Sequence, residues 1–83
     1  MITEQEAIER AWELVRREQL RVRDVRSVCE TPAPEFLPEW ASRGNVWSVV
    51  FDLDVPPDVI RSPDLLEIIV DRETGEATGI EGL

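Results

Sequence analysis

The chain has no histidine, no lysine and no tyrosine, and it contains a single cysteine, Cys29. Without histidine, the side chain that usually serves as a general base near neutral pH is missing, which excludes Ser/His/Asp and Cys/His nucleophile arrangements. One cysteine cannot form an intrachain disulfide, and without histidine there are too few soft ligands for a structural zinc site. These absences predict a protein that is not an enzyme and that uses no cofactor or metal ion.

Long apolar stretches are missing as well. No run approaches the about 20 residues that are needed to span a bilayer, and residues 1–5 lack the basic and apolar segments of a signal peptide. We therefore expect no membrane association and a reducing, cytoplasmic compartment. Free cysteine is usually a small apolar core residue, so Cys29 is expected at a buried or half-buried strand position, with a reactive or intermolecularly paired thiol as the alternative.

Charge is abundant, and most of it is negative. The 83 residues carry 18 acids against 9 arginines, a formal net charge of −9. Residues 31–83 hold eleven of these acids but only three of the arginines. If this part forms a sheet, its solvent side should repel nucleic acid and anionic lipid and attract basic proteins. The alternative is that the excess charge only keeps a small domain soluble.

The first predicted element is an amphipathic helix over about residues 4–19. Thr3 followed three residues later by Glu6 is a capping box, which marks a helix start. Apolar side chains then recur at i, i+3, i+4 and i+7, namely Ile8, Ala11, Trp12 and Val15. This spacing places them on one side of the helix, facing a core.

Four strands are predicted after the helix, at about residues 22–30, 45–55, 65–72 and 76–81. The first is rich in valine, and its irregular pattern indicates a bulge near Asp24 and Val25. The second alternates, so Trp47 and Phe51 lie on one apolar face that should pack against the helix. A tight turn with Gly75 in the left-handed conformation joins the last two strands. The fold class is therefore α+β: residues 1–83 form one domain, in which one N-terminal helix packs on a three- to four-stranded antiparallel meander.

A proline-rich stretch, residues 31–44, is predicted to be a long loop, because prolines interrupt both ladders and helices. It carries three large apolar side chains, Phe36, Leu37 and Trp40, which are unusual in a solvated connector. Either they fold back to cap the core, or they are displayed as a contact surface for a partner.

Asp52 and Asp54 form a D-x-D pair whose carboxylates lie on the same side of a strand. Such a pair can contribute to a site for a hard cation. Strand alternation already predicts polar residues at these outward positions, and the sequence contains neither a P-loop nor a G-x-G-x-x-G motif. We therefore interpret the pair as solvent-facing and predict no metal site.

The order of elements resembles a known family. A helix, a strand, the tryptophan-bearing strand VWSVVF at residues 46–51 and the segment LEIIVDRETGE at residues 66–76 resemble the immunity protein 35 family of bacterial polymorphic toxin systems. The opening ITEQEA at residues 2–7 and the D-x-x-T-G turn are also similar to PepSY-type domains.

The first resemblance implies a non-enzymatic protein that binds and neutralises a cognate bacterial toxin. An acidic inhibitor and a basic toxin attract each other at long range, and a few buried anchors supply the affinity. On this hypothesis the partner-binding residues are Phe36, Glu39 and Trp40, with Asp52 and Asp54 contributing to the field. The second resemblance implies a PepSY-like or cystatin-like accessory domain, either a regulator or a self-association module. An exposed apolar sheet face or a free edge strand would favour self-association, as a homodimer.

Overall fold

A computed structural model describes residues 1–35, 37–41, 43–54 and 65–80. The elements in chain order are α1 (Glu4–Arg17), β1 (Val22–Pro32), α2 (Pro38–Ala41), β2 (Asn45–Leu53), β3 (Leu65–Asp71) and β4 (Ala77–Ile80). The strands form one sheet in the order β1-β2-β3-β4, and each is antiparallel to its neighbour. The predicted α+β class, with an N-terminal helix on an antiparallel meander, is confirmed.

The helix α1 begins where the capping box predicts and covers one face of the sheet. The Thr3 hydroxyl accepts a hydrogen bond from the Glu6 N–H at 3.2 Å, which satisfies one of the free donors of the first turn. Ala11 is completely buried, and its small side chain lets the helix approach the strands closely. Trp12 then meets Phe51 of β2 edge to face, with ring centroids 4.9 Å apart. The predicted packing of the helix on the tryptophan-bearing strand is confirmed.

The end of α1 is set by Gln19, a non-glycine residue with a φ of 55°. This left-handed conformation lets the Leu20 N–H donate to the Val15 carbonyl at 2.9 Å, while the Gln19 N–H donates to the Arg16 carbonyl at 3.3 Å. The two bonds form a Schellman motif, which closes the helix at Arg17 instead of at about residue 19.

The two faces of the sheet follow from the alternation along β2. The side chains toward α1 are Trp47, Val49, Phe51 and Leu53, and together with Leu66, Ile68 and Val70 of β3 they join the main core. We call the opposite side of the sheet the outer face; its β2 residues are Val46, Ser48, Val50 and Asp52. The β2 side chains on each face are the ones that the predicted alternation assigns to that face.

The edge strand β1 is irregular. The register of its pairing with β2 shifts between Val22 and Asp24 and again between Val25 and Ser27, which confirms the predicted bulge. Cys29, however, is exposed, so the expectation of a buried or half-buried cysteine is wrong. The reason is that Cys29 falls on the outer face near the edge of the sheet, away from the helix.

The predicted loop at residues 31–44 is shorter than expected, because β1 continues through Pro32 and residues Pro38–Ala41 form α2. The Ala33 N–H donates to the Gly44 carbonyl at 2.9 Å. Since hydrogen-bonded and non-bonded pairs alternate along an antiparallel ladder, the nitrogen of Pro32 points away from β2. Proline at this position therefore removes no ladder bond, and the strand tolerates it.

The turn between β3 and β4 agrees with the sequence prediction. Gly75 has a φ of 78°, its N–H donates to the Asp71 carbonyl at 3.0 Å, and the Asp71 N–H donates to the Glu76 carbonyl at 2.7 Å. The last residues of two predicted strands, Val55 and Glu81, lie outside the described residues.

Candidate protein-binding surfaces

Trp40 is buried, with 5% of its surface exposed. It packs with Val46 and Ile69 on the outer face of the sheet, where Ala33 and Leu37 also contact it. Of the two arrangements that the sequence left open, Trp40 and Leu37 take the folded-back one, and the display of Trp40 as a partner anchor is wrong. The physical reason is that Val46 and Ile69 would otherwise leave an apolar end of the outer face in water.

The other residues proposed to bind a partner do not come together. Glu39 is exposed on α2, next to the start of β2, whereas Asp52 and Asp54 lie at its far end. Six residues of extended strand separate Val46 from Asp52, a distance of about 20 Å. Phe36 lies outside the described residues. Whether any of these residues contacts a partner stays a prediction.

The two aspartates face arginines of β1. Asp52 lies 3.5 Å from Arg26, and Asp54 lies 3.8 Å from Arg23, with all four side chains at least 41% exposed. Such exposed pairs add little stability, but each arginine offsets the charge of its aspartate. The negative field expected from Asp52 and Asp54 is therefore largely cancelled.

A cluster that the sequence did not reveal surrounds Arg43. Its guanidinium carbon lies 4.3 Å from the centre of the Trp40 ring. The Nη1 atom of the same guanidinium donates to Asp71 at 3.1 Å and to Glu76 at 2.8 Å. One side chain thus ties the segment after α2 to both ends of the β3–β4 turn. No periodic pattern links residues so far apart, and the only local signal is an aspartate that precedes a T-G turn.

The Asp71 carboxylate is shaped by this cluster. Burial alone raises the pKa of Asp71, but the N–H groups of Glu73 and Thr74, at 2.8 and 3.3 Å, and the Arg43 guanidinium lower it by more, so the pKa lies below its ordinary value. The hydrogen bond to Glu76 raises the pKa of Arg43, although desolvation opposes this. Asp71 and Arg43 are therefore both charged at neutral pH, and they act as structural groups.

One end of the molecule concentrates negative charge. Here the first turn of α1, residues 33–44 and the β3–β4 turn meet, as shown by the hydrogen bond from the Ile2 N–H to the Arg72 carbonyl at 2.7 Å. We call this region the acidic end. Its exposed carboxylates without an ion pair among the described residues are Glu4, Glu6, Glu35, Glu39 and Glu73. Two of its arginines, Arg43 and Arg72, are bound by Asp71, Glu76 and Glu30, and a third, Arg10, lies beside Gly75 and pairs with Glu13 at 3.7 Å.

A groove runs between α1 and β4. Two adjoining cavities of about 380 and 400 Å³ lie there, and both are lined by Leu14, Arg17 and Ala77. Leu14 and Leu66 form an apolar floor, and charged residues of α1 form one rim. We call this feature the α1–β4 groove.

Comparison of the chain with protein-family models, curated proteins and solved structures found no match. In the described ranges, no three acidic, cysteine or histidine side chains are placed to hold a metal ion. Neither described helix has both the length and the apolar character that crossing a bilayer requires. The resemblance to immunity proteins thus stays a prediction.

Proposed function

We propose that this chain is a non-enzymatic protein-binding domain that neutralises a basic protein partner, as the resemblance to bacterial immunity proteins implies. The observation that carries the proposal is the segregation of charge at the acidic end. There, arginines are engaged by neighbouring carboxylates, while further exposed carboxylates have no ion pair among the described residues.

The arrangement suits electrostatic steering of a partner. Charges at the acidic end come from three separate chain segments, α1, residues 33–44 and the β3–β4 turn, so their fields add over one surface. A basic protein approaching this surface is attracted over about one Debye length, roughly 8 Å at physiological ionic strength. The effect of such a field is mainly on the association rate, which makes it measurable apart from the final affinity.

The experiment measures binding to a defined partner, the purified product of the gene adjacent to that of this chain. Association and dissociation rates are recorded at low and at high salt for wild type and for two double variants. Glu39→Gln with Glu73→Gln removes two charges from the acidic end. Asp52→Asn with Asp54→Asn also removes two charges, but these are the ones offset by arginines, so it is the matched control.

We expect the Glu39 and Glu73 variant to lower the association rate about 3-fold or more at low salt, with the difference shrinking at high salt. The Asp52 and Asp54 variant should change it less than about 2-fold, because each aspartate already faces an arginine. Equal effects of the two variants would show that the association rate depends on the net charge of the protein and not on the acidic end. Absence of binding by wild type would reject the inhibitor function for that partner.

A second candidate function, a self-associating accessory domain, is favoured by the edge of β4, which pairs with no further strand in the described part of the chain and whose four residues bear no charged side chain. An unprotected edge strand can pair with the same strand of another copy. Sedimentation equilibrium over a 100-fold range of concentration, about 1 to 100 μM, separates the two functions, because only self-association makes the mass depend on concentration.

A further inference from the structure

We propose that the α1–β4 groove receives an extended, basic segment of the partner, which adds to β4 as a fifth strand. The inference rests on the proposed protein-binding function and names the site and the form of the partner. It is carried by three features of the structure: backbone groups of β4 that have no partner among the described residues, the open space that these residues leave beside Gly79, and the contrast between the two edges of the sheet.

The backbone of β4 presents hydrogen-bonding groups to the groove side. Because the Asp71 N–H donates to the Glu76 carbonyl across the ladder, alternation makes the pairs of Ala77 with Val70 and of Gly79 with Ile68 non-bonded. The N–H and C=O groups of Ala77 and Gly79 therefore point away from β3. An extended segment alongside β4 would satisfy these groups, which is the recognition mode of β-strand addition.

The side chains next to this edge leave room for a ligand. Ala77 and Gly79 face the helix side, and a Cβ atom added at Gly79 would meet nothing within 4 Å. The floor beneath is formed by Leu14 and Leu66, which are 6% and 3% exposed. In an added strand every second side chain would point toward this floor, so the structure favours small apolar residues at alternate positions.

The two edges of the sheet differ in how they are protected. The β1 edge carries two register shifts, a proline at its end and several charged residues, all features that prevent pairing with another strand. The sequence of β4, ATGI, has no proline and no charged residue, and its pairing with β3 shows no register shift. Among the described residues, the β4 edge is short but lacks the register shifts, proline and charges that protect the β1 edge.

The charge of the surroundings indicates a basic segment in preference to a second copy. Exposed carboxylates of Glu13, Glu18 and Glu76 line the groove, and Arg43 binds the last of them at 2.8 Å. Arg10 and Arg17 also line it, at 3.7 and 4.0 Å from Glu13 and Glu18, and they offset much of this charge, so the lining carries only a small excess of carboxylates. Because the chain carries a net charge of −9, two copies repel each other, whereas lysines placed between the apolar residues of a partner strand are attracted.

The first experiment uses a blocked heptapeptide of alternating lysine and valine as the probe. Backbone amide shifts and hydrogen exchange of the full chain are recorded by NMR during titration. We expect the largest shift changes in β4, and about 10-fold slower exchange for the Ala77 and Gly79 amides, since these donors become bonded. Shift changes confined to the acidic end would overturn the proposal.

A pair of variants at position 79 tests the backbone contact. Gly79→Pro removes the outward N–H without removing a bond to β3, whereas Gly79→Ala adds a side chain there but keeps the N–H. We expect the dissociation constant of the peptide to rise about 10-fold for the proline variant and by less than about 3-fold for alanine. Equal binding by the two variants would overturn the strand-addition geometry.

A second pair of variants tests the same site if Gly79→Pro does not fold. Circular dichroism and urea unfolding would show whether it folds. Glu13→Arg places a positive charge on the groove, and Glu9→Arg makes the same change elsewhere on α1. Only the Glu13 variant should weaken binding of the peptide, with a dissociation constant about 3-fold or more higher at low salt. Equal weakening would mean that net charge alone attracts the probe, and this too would overturn the site.

The failure of this inference is distinguishable from the failure of the proposed function. If the product of the adjacent gene binds wild type and the Gly79→Pro and Glu13→Arg variants equally well, the groove is not the contact, although the binding function stands. If the peptide binds in the groove and that protein does not bind, the function fails and the site stands. If wild type is a dimer and Gly79→Pro is a monomer, the groove is occupied by a second copy of the chain. This result would overturn the proposal that the occupant is a basic segment of a partner.

Discussion

The guanidinium of Arg43 lies over the indole ring of Trp40, with 4.3 Å between the guanidinium carbon and the ring centre. Through this contact the segment between β1 and β2 covers one end of the outer face, while the same guanidinium binds the carboxylates of Asp71 and Glu76. The sheet is therefore covered on both faces at this end, by α1 on one side and by Trp40 on the other. The acidic end is built on this double-sided core.

Replacement of Trp40 by alanine should destabilise the fold. The ring is buried against Val46 and Ile69, and its loss would leave a cavity and expose apolar surface, at a cost of about 3–5 kcal/mol. Trp40→Phe keeps most of the contact and should cost clearly less. Urea unfolding of both variants measures the difference. A change below about 0.5 kcal/mol for Trp40→Ala would contradict the burial of this ring.

Variants of Trp40 change the stability of the fold as well as any binding surface near it. Because the ring packs with Ala33 and Leu37, Trp40→Ala can reduce binding by disordering the neighbouring Glu39 without any direct contact with a partner. Affinity should therefore be compared with the free energy of unfolding for each variant. Glu39→Gln, which leaves the buried cluster intact, is the cleaner probe of a contact at this surface.

Asp71 should make the stability of the protein depend on pH below about 4. Its pKa in the folded state is lowered, so its contribution is complete above the pKa of the unfolded state, about 3.9, and is lost as the pH falls through the lower folded value. Asp71→Asn should cost about 1–2 kcal/mol near pH 7, because the charged hydrogen bonds to the Glu73 and Thr74 amides are weakened.

The measurement is the difference in unfolding free energy between wild type and Asp71→Asn at pH 7 and at pH 2.5. Using a difference removes the effect of the other carboxylates, which titrate in both proteins. We expect this difference in unfolding free energy to be smaller at pH 2.5 than at pH 7. Glu73→Gln, at an exposed position, is the control and should show a gap that hardly changes; a constant gap for Asp71→Asn would contradict the assigned role.

Much of the fold follows from periodic patterns. The stripe from Ile8 to Val15 and the alternation from Trp47 to Phe51 are long enough for each period to be unambiguous, and the structure confirms both. The D-x-x-T-G sequence likewise has a single favourable turn conformation, with Gly75 left-handed. In each case the information is local to the chain.

What could not be predicted depends on contacts between distant residues. The prolines at residues 32–38 suggested an open loop, but whether a proline interrupts a ladder depends on which way its nitrogen points, and this is set by the pairing of Ala33 with Gly44. Arg43 and Asp71 likewise meet only after the sheet has formed. The α1–β4 groove was also missed, because it depends on the placement of an edge strand under the helix and not on any motif.

Gln19→Gly should stabilise the protein. Gln19 has a φ of 55°, which is strained for a residue with a Cβ atom, and glycine relieves this strain at the end of α1. The larger conformational freedom of glycine in the unfolded chain offsets part of the gain, leaving about 0.5–1 kcal/mol. Glu9→Gly, in the middle of the same helix, is the opposite control and should destabilise by about 0.5–1 kcal/mol. Thermal and urea unfolding would reveal both; a loss of stability for Gln19→Gly would contradict the left-handed helix end.

The thiol of Cys29 should react in the folded protein. Cys29 is exposed on the outer face of β1, opposite Ser48, which is buried and whose hydroxyl donates a hydrogen bond to Glu67. Modification by Ellman's reagent should therefore proceed within about 10-fold of the rate seen in urea, since access does not require unfolding. Cys29→Ser provides the blank. Protection by 100-fold or more would mean that something covers this part of the outer face in solution. Repeating the reaction across a range of protein concentrations would then show whether that cover is a second copy of the chain, because only an intermolecular cover weakens on dilution.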